Sequence, residues 1–439
     1  MRISVIGTGY LGAVHAAGMA ELGHEVVGLD VDEHKIAQLA SGIAPFHEPG
    51  LPELLRRNVD AGRLRFTTDP AELAGAQVHF IGVGTPQLPG RLAADLRYVW
   101  AAVDSIVRHG DEGSLIVGKS TVPVGTAAQL AARVAGRFDV AWNPEFLREG
   151  FAVEDTLRPN RLVYGLSDDV AEGVRAKALL DEVYGPLLSS GVPLVVADFA
   201  TAELVKVAAN SFLATKISFI NAMAELCEAT GADVSRLAEA IGYDDRIGNK
   251  FLQAGIGFGG GCLPKDIRAF MARAGELGVD QALTFLREVD AINLRRRDRA
   301  VEVAESLVGD RLVGKKVAVL GVAFKPDTDD LRDSPALDIA TRLWARGAEL
   351  AIVDPAAGVR LKELRPDLNV VDTVGEAVAD ADLVMVLTQW REFVELDPDV
   401  LRPMVKQPNV IDGRNVLDPK RWAASGWNYH GMGRGVSAW

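Results

Sequence analysis

The stretch RISVIGTGYLGAVHAAGMAELGHEVVGLD, residues 2–30, decides the fold of the first part of the chain. Residues 3–6 form a short, mostly apolar run that indicates a strand, and a helical pattern follows to about Leu22. Residues 25–29 indicate a second strand, which is followed by Asp30. This succession predicts a β-α-β unit, the building block of a parallel sheet that is covered by helices.

Three glycines lie in and just after the turn between the first strand and the helix. Gly7 favours a tight turn, Gly9 lets the backbone approach a pyrophosphate, and Gly12 lets the helix pack closely on the strand. The pyrophosphate would lie at the helix N-terminus, where backbone N–H groups and the helix dipole favour negative charge. Asp30 would accept hydrogen bonds from the adenosine ribose and repel a 2′-phosphate. A lone GxGxxG pattern is weak evidence, but in this context it predicts a site for NAD rather than NADP.

Polar side chains follow three further strand-like runs. Thr85 comes after the run in residues 76–87, Thr121 after that in 114–126, and Glu145 and Glu149 after that in 138–150. In an open parallel sheet, ligands bind beyond the carboxyl ends of the strands. We therefore expect these four side chains to face one crevice.

The middle of the chain has a different pattern. Residues 201–233 have apolar side chains at helical spacing, contain no proline, and include a glycine where the helix is expected to stop. Such a helix would be about 45 Å long and would suit a surface between two copies of the chain. Lys206 and Asn210 lie four residues apart and therefore share one face, where a polar ligand is expected. Cys227 is interpreted as a buried packing residue.

The last third of the chain repeats the plan of the first. Residues 314–355 predict a strand, a turn, a helix and a second strand that is followed by Asp354. The turn, residues 321–325, lacks the GxGxxG spacing. Lys325, Arg332 and Arg414 provide cations near predicted strand ends, and such groups suit phosphate oxygens. The sequence therefore predicts NAD on the first fold and a nucleotide-linked substrate on the second.

Length and composition narrow the class of protein. A chain of 439 residues predicts two or three domains, and its net charge of −13 argues against broad binding to nucleic acid or anionic membranes. No apolar run reaches the roughly 18–20 residues of a membrane span, and the N-terminus has no signal-peptide pattern. Two cysteines allow neither a disulfide framework nor a cysteine-based metal site, so we expect no metal and a cytoplasmic location.

The segment GFGGGCLPKD, residues 257–266, contains the second cysteine of the chain. A structural cysteine usually packs among apolar neighbours, whereas Cys262 follows three glycines in a turn. Taken alone, the placement allows two interpretations, a flexible turn and a reactive thiol.

These segments together resemble one family. The motifs GTGYLG, VGTP, KSTVPVGT, NPEFLREG, KVAANSFLATKISFINAMAELC, DDRIGNKF, GFGGGCLPKD, FKPDTDDLRDSP and IDGRN resemble, in this order, the nucleotide-sugar 6-dehydrogenases of the UDP-glucose/GDP-mannose dehydrogenase family. The resemblance covers essentially the whole chain. It implies an α/β fold with two Rossmann-like, doubly wound domains joined by a long central helix. The implied regions are an NAD-binding domain (1–198), a helical dimerisation domain with the cysteine loop (199–298) and a nucleotide-sugar domain (299–439).

The resemblance also implies a reaction, the oxidation of a sugar C6 hydroxymethyl group to a carboxylate with two NAD⁺. Cys262 matches the nucleophile, which forms a thiohemiacetal and then a thioester. Lys206 and Asn210 match the pair that stabilises negative charge on the C6 oxygen. Asp266 matches an acid that orients water and the lysine. Glu145 matches the proposed base for thioester hydrolysis. Thr121 matches a residue that positions water. For the first deprotonation we favour a water held by Thr121, Asn210 and Asp266.

Ligand contacts are implied at further positions. For NAD the matching residues are Gly7, Gly9, Tyr10, Leu11, Gly12, Asp30, Lys35, Thr85, Thr121, Glu149 and Arg332. For the nucleotide sugar they are Phe146, Leu147, Lys206, Asn210, Arg246, Phe251, Phe258, Gly259, Lys325 and Arg414. Arg246 resembles a residue that the family donates across a homodimer. The glycines before Cys262 are expected to give the sugar clearance, and Gly261 stands where many members have serine.

The substrate has several candidates. The IDGRN segment and the long middle region favour UDP-glucose, which would give UDP-glucuronate. The alternatives are dTDP-glucose, GDP-mannose and a UDP-N-acetylhexosamine. A two-electron oxidoreductase or epimerase would need no nucleophile, so Cys262 argues against that class. A non-catalytic binding protein would not be expected to keep Cys262, Lys206 and Asp266 together.

Overall fold

The β-α-β unit predicted from residues 2–30 is present in the computed structural model, which describes residues 1–309 and 311–434. Strand β1 (Arg2–Ile6) is followed by helix α1 (Tyr10–Glu21) and strand β2 (Glu25–Leu29), and the two strands pair in parallel. Residues 12–20 of α1 are all buried. Most of them are small, which allows the helix to pack closely against its neighbours.

The chain divides into two compact units. The first contains residues 1–209 and 268–280, and the second contains residues 210–267 and the described chain from residue 281 onward. The first unit has an eight-stranded sheet with the order β3-β2-β1-β4-β5-β6-β7-β8. All neighbours pair in parallel except β6 and β7. The remaining strands are β3 (Leu64–Thr67), β4 (Val78–Ile81), β5 (Leu115–Gly118), β6 (Asp139–Trp142), β7 (Leu162–Leu166) and β8 (Leu194–Asp198).

Both faces of this sheet are covered. On β5, Leu115 and Val117 belong to one apolar cluster, whereas Ile116 between them belongs to another. Alternate side chains of a strand point to opposite faces, so the two clusters are separate layers of core. The covering helices are α1, α2 (Glu33–Ala40), α3 (Leu51–Asp60), α4 (Arg97–His109), α5 (Thr126–Val134), α6 (Ala152–Leu157), α7 (Val170–Val183) and α8 (Gly185–Ser189), with a short 3-10 helix (Pro70–Leu73).

A long helix, α9 (Phe199–Thr230), occupies 32 residues and belongs to the first unit as far as Ala209. It ends before Gly231, whose φ of +77° is a conformation that glycine adopts at low cost. The helix begins and ends slightly earlier than the predicted 201–233. It is followed by α10 (Val234–Gly242), α11 (Leu263–Glu276), a 3-10 helix (Asp280–Leu283) and α12 (Thr284–Leu307).

The second unit contains a five-stranded parallel sheet with the order β10-β9-β11-β12-β13. Its strands are β9 (Lys316–Leu320), β10 (Glu349–Val353), β11 (Leu383–Val386), β12 (Asn409–Asp412) and β13 (Asn428–Gly431). Its helices are α13 (Pro335–Ala345), α14 (Gly358–Leu364), α15 (Val374–Val378), α16 (Arg391–Val394), α17 (Pro398–Leu401) and α18 (Pro419–Ala424).

The predicted fold class, two Rossmann-like α/β sheets and a long central helix, is confirmed. The division at residues 198 and 298 stays a prediction. No helix in the described part of the chain is long and apolar enough to cross a membrane. Among the same residues there is no group of three or more potential metal-ligating side chains.

Candidate active site

The first glycine turn has the geometry of a dinucleotide site. Gly7 has a φ of +86°, and its N–H donates to the carbonyl of Leu29 at 2.8 Å. A Cβ on Gly12 would clash with the carbonyl of Gly7, whereas a Cβ on Gly9 would meet no atom within 4 Å. Gly12 is therefore needed for packing, and Gly9 faces space that a bound group can fill. This difference fits a cofactor pyrophosphate at the start of α1.

Asp30 and Lys35, both predicted NAD residues, lie together. The Asp30 carboxylate accepts from the backbone N–H of Thr8 at 2.8 Å and from Lys35 Nζ at 3.2 Å. The carboxylate thus holds the glycine turn in place from the end of β2. These contacts leave capacity on its oxygens for ribose hydroxyls.

Tyr10 is anchored by a residue that the sequence analysis missed, Glu48. The Tyr10 hydroxyl donates to the Glu48 carboxylate, which also accepts from the N–H groups of Gly150 at 2.7 Å and Ala152 at 2.8 Å. Burial, followed by the hydrogen bond to Glu48, raises the pKa of Tyr10 far above its usual value. Tyr10 therefore stays protonated and ties the glycine turn to the segment that follows Glu149.

Two of the predicted strand-end residues meet directly. The hydroxyl of Thr85 donates to the backbone carbonyl of Thr121 at 2.7 Å. The loop after β4 and the loop after β5 are thereby joined, as expected for neighbouring parallel strands.

Glu145 and Lys206 form a buried ion pair. Lys206 Nζ lies 3.0 Å from Glu145 Oε1, and the two side chains are only 6% and 11% exposed. The other carboxylate oxygen of Glu145 accepts from the N–H of Leu147 at 2.6 Å. Phe146 places its ring against the Arg161 guanidinium, whose carbon lies 3.8 Å from the ring centre. One loop, which is not helical, thus supplies both Glu145 and the Phe146 ring, whose centre lies 5.8 Å from Lys206 Nζ.

A second buried lysine, Lys119, lies in the same region and was not predicted. Lys119 Nζ donates to Asn143 Oδ1 at 2.9 Å and lies 3.4 Å from the Tyr184 hydroxyl. Burial lowers the pKa of Lys119 to about 8; the Glu145 carboxylate opposes this change and the Lys206 cation adds to it.

In the second unit, Asn210, Cys262 and Asp266 form another group. Cys262 is exposed and directly precedes α11, and the N–H of Asp266 donates to its carbonyl at 2.9 Å. The Asp266 carboxylate is 1% exposed and accepts from Asn210 Nδ2 at 2.7 Å and Lys265 Nζ at 2.5 Å. The thiol is thus presented at the start of a helix, with an oriented carboxylate one turn later.

The glycines before Cys262 pack closely against other residues of the chain. A Cβ on Gly259 would clash with the Asp333 carbonyl, and one on Gly261 would clash with the Arg332 guanidinium. A Cβ on Gly260 would lie 2.7 Å from the Phe324 ring. The absent side chains make room for this chain's own segment. The expected clearance for the sugar stays a prediction. The packing explains glycine at position 261, since serine would require Arg332 to move.

The predicted phosphate-binding cations already have partners within the protein. Arg414 donates to the carbonyls of Leu387, Gly257 and Phe324 at 2.9, 2.7 and 3.1 Å. Burial, together with nearby Arg297, lowers its pKa to about 10. Arg414 therefore fixes three loops around it.

The other members of the predicted ligand set vary in exposure. The Arg332 guanidinium forms a bidentate pair with Asp330 at 2.7–2.9 Å, and Lys325 Nζ lies 5.4 Å from the Phe324 ring centre. Arg246 is exposed and pairs with Asp244 at 2.7 Å. Phe258 is buried, whereas Phe251 is partly exposed and has a φ of +65°.

Comparison with known proteins now decides the family. Residues 1–188, 200–295 and 318–419 match the NAD binding, central and UDP binding domains of the UDP-glucose/GDP-mannose dehydrogenase family. The chain belongs to this family.

Individual members of the family resemble the whole chain. A UDP-glucose 6-dehydrogenase of Rhizobium meliloti (strain 1021) is 42% identical over 440 residues, which cover 99% of this chain and 100% of the relative. The structure of a UDP-glucose dehydrogenase from Pyrobaculum islandicum has 39% identity and a TM-score of 0.89, with 98% and 97% of the two chains covered. A UDP-D-ManNAc dehydrogenase from Pyrococcus horikoshii has 28% identity and a TM-score of 0.86, with full coverage of both chains.

Membership of the family confirms that NAD is the cofactor and that the protein is an oxidoreductase. The open space at Gly9 and the oriented carboxylate of Asp30 fit that cofactor. The roles of individual residues stay predictions. Within each unit, however, the structure assembles predicted residues into groups, Glu145 with Lys206 and Asn210 with Asp266.

Proposed function

We propose that the protein oxidises UDP-glucose at C6 to UDP-glucuronate, with two NAD⁺ consumed for each substrate. The observation that carries this proposal is the exposed thiol of Cys262 at the start of α11, with the buried Asp266 carboxylate one turn later. A dehydrogenase that stops at an aldehyde has no use for such a nucleophile. The names of the similar proteins support the choice of substrate.

The chemistry proceeds in two oxidations and one hydrolysis. NAD⁺, when bound, accepts one hydride in each oxidation. Between them, the Cys262 thiolate adds to the C6 aldehyde and forms a C–S bond. After the second oxidation the sugar is held as a thioester. Water then adds to the C6 carbonyl and the C–S bond breaks, which returns the thiolate and leaves a carboxylate.

The residues of the first unit serve the oxygen and proton chemistry. Lys206 places a positive charge where an oxyanion develops, and buried charges of this kind stabilise transition states effectively. Glu145 accepts the proton of the attacking water. In the second unit, Asn210 and Asp266 share a hydrogen bond and direct polar groups toward the C6 oxygen and water.

The proposed assembly is a homodimer. On α9, Phe212, Phe219 and Leu226 are 68%, 49% and 58% exposed and are spaced seven residues apart, so they share one face. Large apolar side chains in such an exposed row indicate a protein partner. Light scattering should give twice the chain mass for the wild type and a shift toward the monomer for Phe219→Glu. A wild type that stays monomeric would contradict this assembly.

The proposed location is the cytoplasm, where an exposed cysteine remains a thiol.

The decisive experiment counts NADH released for each UDP-glucose consumed. Two NADH are expected, and a ratio of one would contradict the thioester route. Parallel assays with dTDP-glucose, GDP-mannose and UDP-N-acetylglucosamine test the alternative substrates.

Cys262→Ser should lower turnover by at least about 10³-fold, because an alkoxide forms far less readily than a thiolate. Turnover at the wild-type rate in this variant would remove Cys262 from its role.

A further inference from the structure

The reaction described above assigns no role to the buried carboxylate of Glu48. This residue lies in the loop between α2 and α3 and is only 3% exposed. Burying a carboxylate is costly unless its oxygens accept hydrogen bonds. One oxygen accepts from the N–H of Ala152 at 2.8 Å, and the other accepts from the N–H of Gly150 at 2.7 Å and from the Tyr10 hydroxyl. Three neutral donors from two distant segments thus converge on one side chain.

These donors belong to the two halves of the dinucleotide fold. In the sheet, β2 and β3 lie on one side of β1, and β4, β5 and β6 lie on the other. Folds of this kind bind a dinucleotide across the crevice between the two halves. Tyr10 begins α1 in the first half, where Asp30 is expected to contact the adenosine, whereas Gly150 and Ala152 follow β6 in the second half. Glu48 therefore joins the segment at the pyrophosphate to a segment on the nicotinamide side.

The two segments depend on Glu48 to different degrees. The glycine turn has an anchor of its own, because the N–H of Gly7 donates to the Leu29 carbonyl at 2.8 Å. In the segment after β6, the backbone N–H and the guanidinium of Arg148 donate to the Asp155 carboxylate at 2.6–2.9 Å. That contact shapes the segment locally and does not join it to the first half of the fold. Loss of the Glu48 carboxylate should therefore displace this segment and leave the glycine turn in place.

The base of the Glu48 side chain is itself held in place. Its backbone carbonyl accepts from the N–H of Leu51 at 3.2 Å, at the start of α3. Two residues earlier, the ring of Phe46 lies against the Tyr10 ring with a centre-to-centre distance of 4.7 Å. The carboxylate is thus a short, fixed connection between α1 and the start of α6.

We propose that Glu48 is a positioning residue for NAD. By binding Tyr10 on one side and Gly150 and Ala152 on the other, it sets the separation between the pyrophosphate turn and the segment on the nicotinamide side. Glu149, an expected NAD contact, directly precedes Gly150, so its place in the crevice depends on this connection. A correct separation holds the nicotinamide where hydride transfer occurs. The proposal concerns the cofactor and does not depend on which nucleotide sugar is oxidised.

The test compares binding of NADH with binding of ADP, which has the adenosine and pyrophosphate of the cofactor but lacks the nicotinamide and its ribose. The dissociation constant of NADH is measured from its fluorescence, and that of ADP from displacement of NADH, so both refer to one site. In Glu48→Gln one oxygen becomes an NH2 group that cannot accept, so the three bonds cannot all form. We expect NADH to bind about tenfold more weakly and ADP to stay within about twofold of the wild type.

Glu53→Gln is the matched control, because it removes the same charge from the neighbouring helix α3. The Glu53 side chain is 69% exposed, and its ion pair with Arg56 is long, at 3.9 Å. Both dissociation constants should stay within about twofold of the wild type in this variant. Equal weakening of NADH and ADP binding in Glu48→Gln would show a purely structural role, and unchanged binding of NADH would show no role. Either result would overturn the proposal.

A double-mutant cycle tests whether the connection passes through Tyr10. Tyr10→Phe keeps the ring and removes only the hydroxyl, and by itself it should weaken NADH binding. Because the two residues form one connection, Glu48→Gln should weaken NADH binding by less than about threefold when it is added to Tyr10→Phe. A tenfold loss in both backgrounds would contradict a connection through Tyr10 and overturn the proposal.

Neither measurement needs turnover. A wild type that does not oxidise UDP-glucose would therefore contradict the proposed substrate and leave the test of Glu48 intact. If Glu48→Gln does not accumulate as folded protein, Glu48→Asp takes its place with the same two ligands. Its carboxylate is one methylene too short to reach both segments, so the same selective loss of NADH binding is expected.

Discussion

Gly7 and Gly321 occupy the same place in the two sheets of the chain, directly after β1 and β9. Both have positive φ, +86° and +92°, and each N–H donates at 2.8 Å to the last residue of the neighbouring strand. An aspartate follows that strand in both cases, and its carboxylate accepts from the turn. The two turns are thus built on one plan.

The two turns differ in the residues that follow the first glycine. After Gly7, helix α1 begins within three residues, and Gly9 leaves open space at its start. After Gly321, Ala323 stands in the place of Gly9, its N–H donates to Asp354, and helix α13 begins only at Pro335. The first turn leaves open space at a helix N-terminus, which fits a pyrophosphate, whereas in the second turn the N–H of Ala323 is bonded within the protein. A shared sheet plan therefore does not imply a shared mode of nucleotide binding.

The largest expected effect comes from filling the first turn. In Gly12→Ala the new Cβ clashes with the backbone carbonyl of Gly7, and backbone cannot move aside as a side chain can. We expect a loss of at least about 3 kcal/mol in the free energy of unfolding, measured by chemical denaturation. The control is Gly9→Ala in the same turn. Its added Cβ meets no atom within 4 Å, so the free energy of unfolding should change by less than about 0.5 kcal/mol. Equal losses in the two variants would contradict the division of roles between these glycines.

A smaller effect is expected from the aspartate of the second turn. Asp354 accepts from the N–H groups of Val322, Ala323, Ala356 and Ala357 at 2.7–3.0 Å. In Asp354→Asn one oxygen becomes an NH2 group, so two buried donors lose their acceptor. We expect a loss of about 2 kcal/mol in the free energy of unfolding, with the KM for NAD unchanged. A selective rise in the KM for NAD would contradict a purely structural role of the second turn.

A smaller change in stability than in Asp354→Asn is expected from the equivalent aspartate of the first turn. Asp30→Asn keeps an oxygen for the Thr8 N–H and loses the negative charge and one acceptor that the ribose would use. We expect the free energy of unfolding to change by less than about 1 kcal/mol and the KM for NAD to rise about tenfold. Steady-state kinetics at saturating nucleotide sugar measure this rise. If Asp30→Asn costs as much stability as Asp354→Asn, the proposed contrast between the turns is wrong.

Local patterns allowed much of this architecture to be predicted from the sequence. The turn at Gly7, the long helix that ends before Gly231 and the placement of Cys262 outside a helix depend on neighbouring residues, and all three are present. Lys119 and Glu48 were missed because their burial depends on partners tens of residues away. One signal was available for Lys119, since it directly follows the apolar strand Leu115–Gly118. Arg414 was expected to bind phosphate, but nothing in its local sequence reveals the three carbonyls that it holds.

The packing of residues 255–261 has a consequence for biosynthesis. Gly255 lies against Gly413, the N–H of Ile256 donates to the Gly413 carbonyl at 3.0 Å, and Gly260 lies against Phe324. A nascent chain that has emerged from the ribosome only as far as α12 lacks all of these partners. Since domains fold as their residues become available, the segment before Cys262 reaches its final shape only when almost the whole chain has been translated. Until then the loop before the thiol has only its hydrogen bonds to Asn221 and Asn293, so the nucleophile reaches its final place late in synthesis.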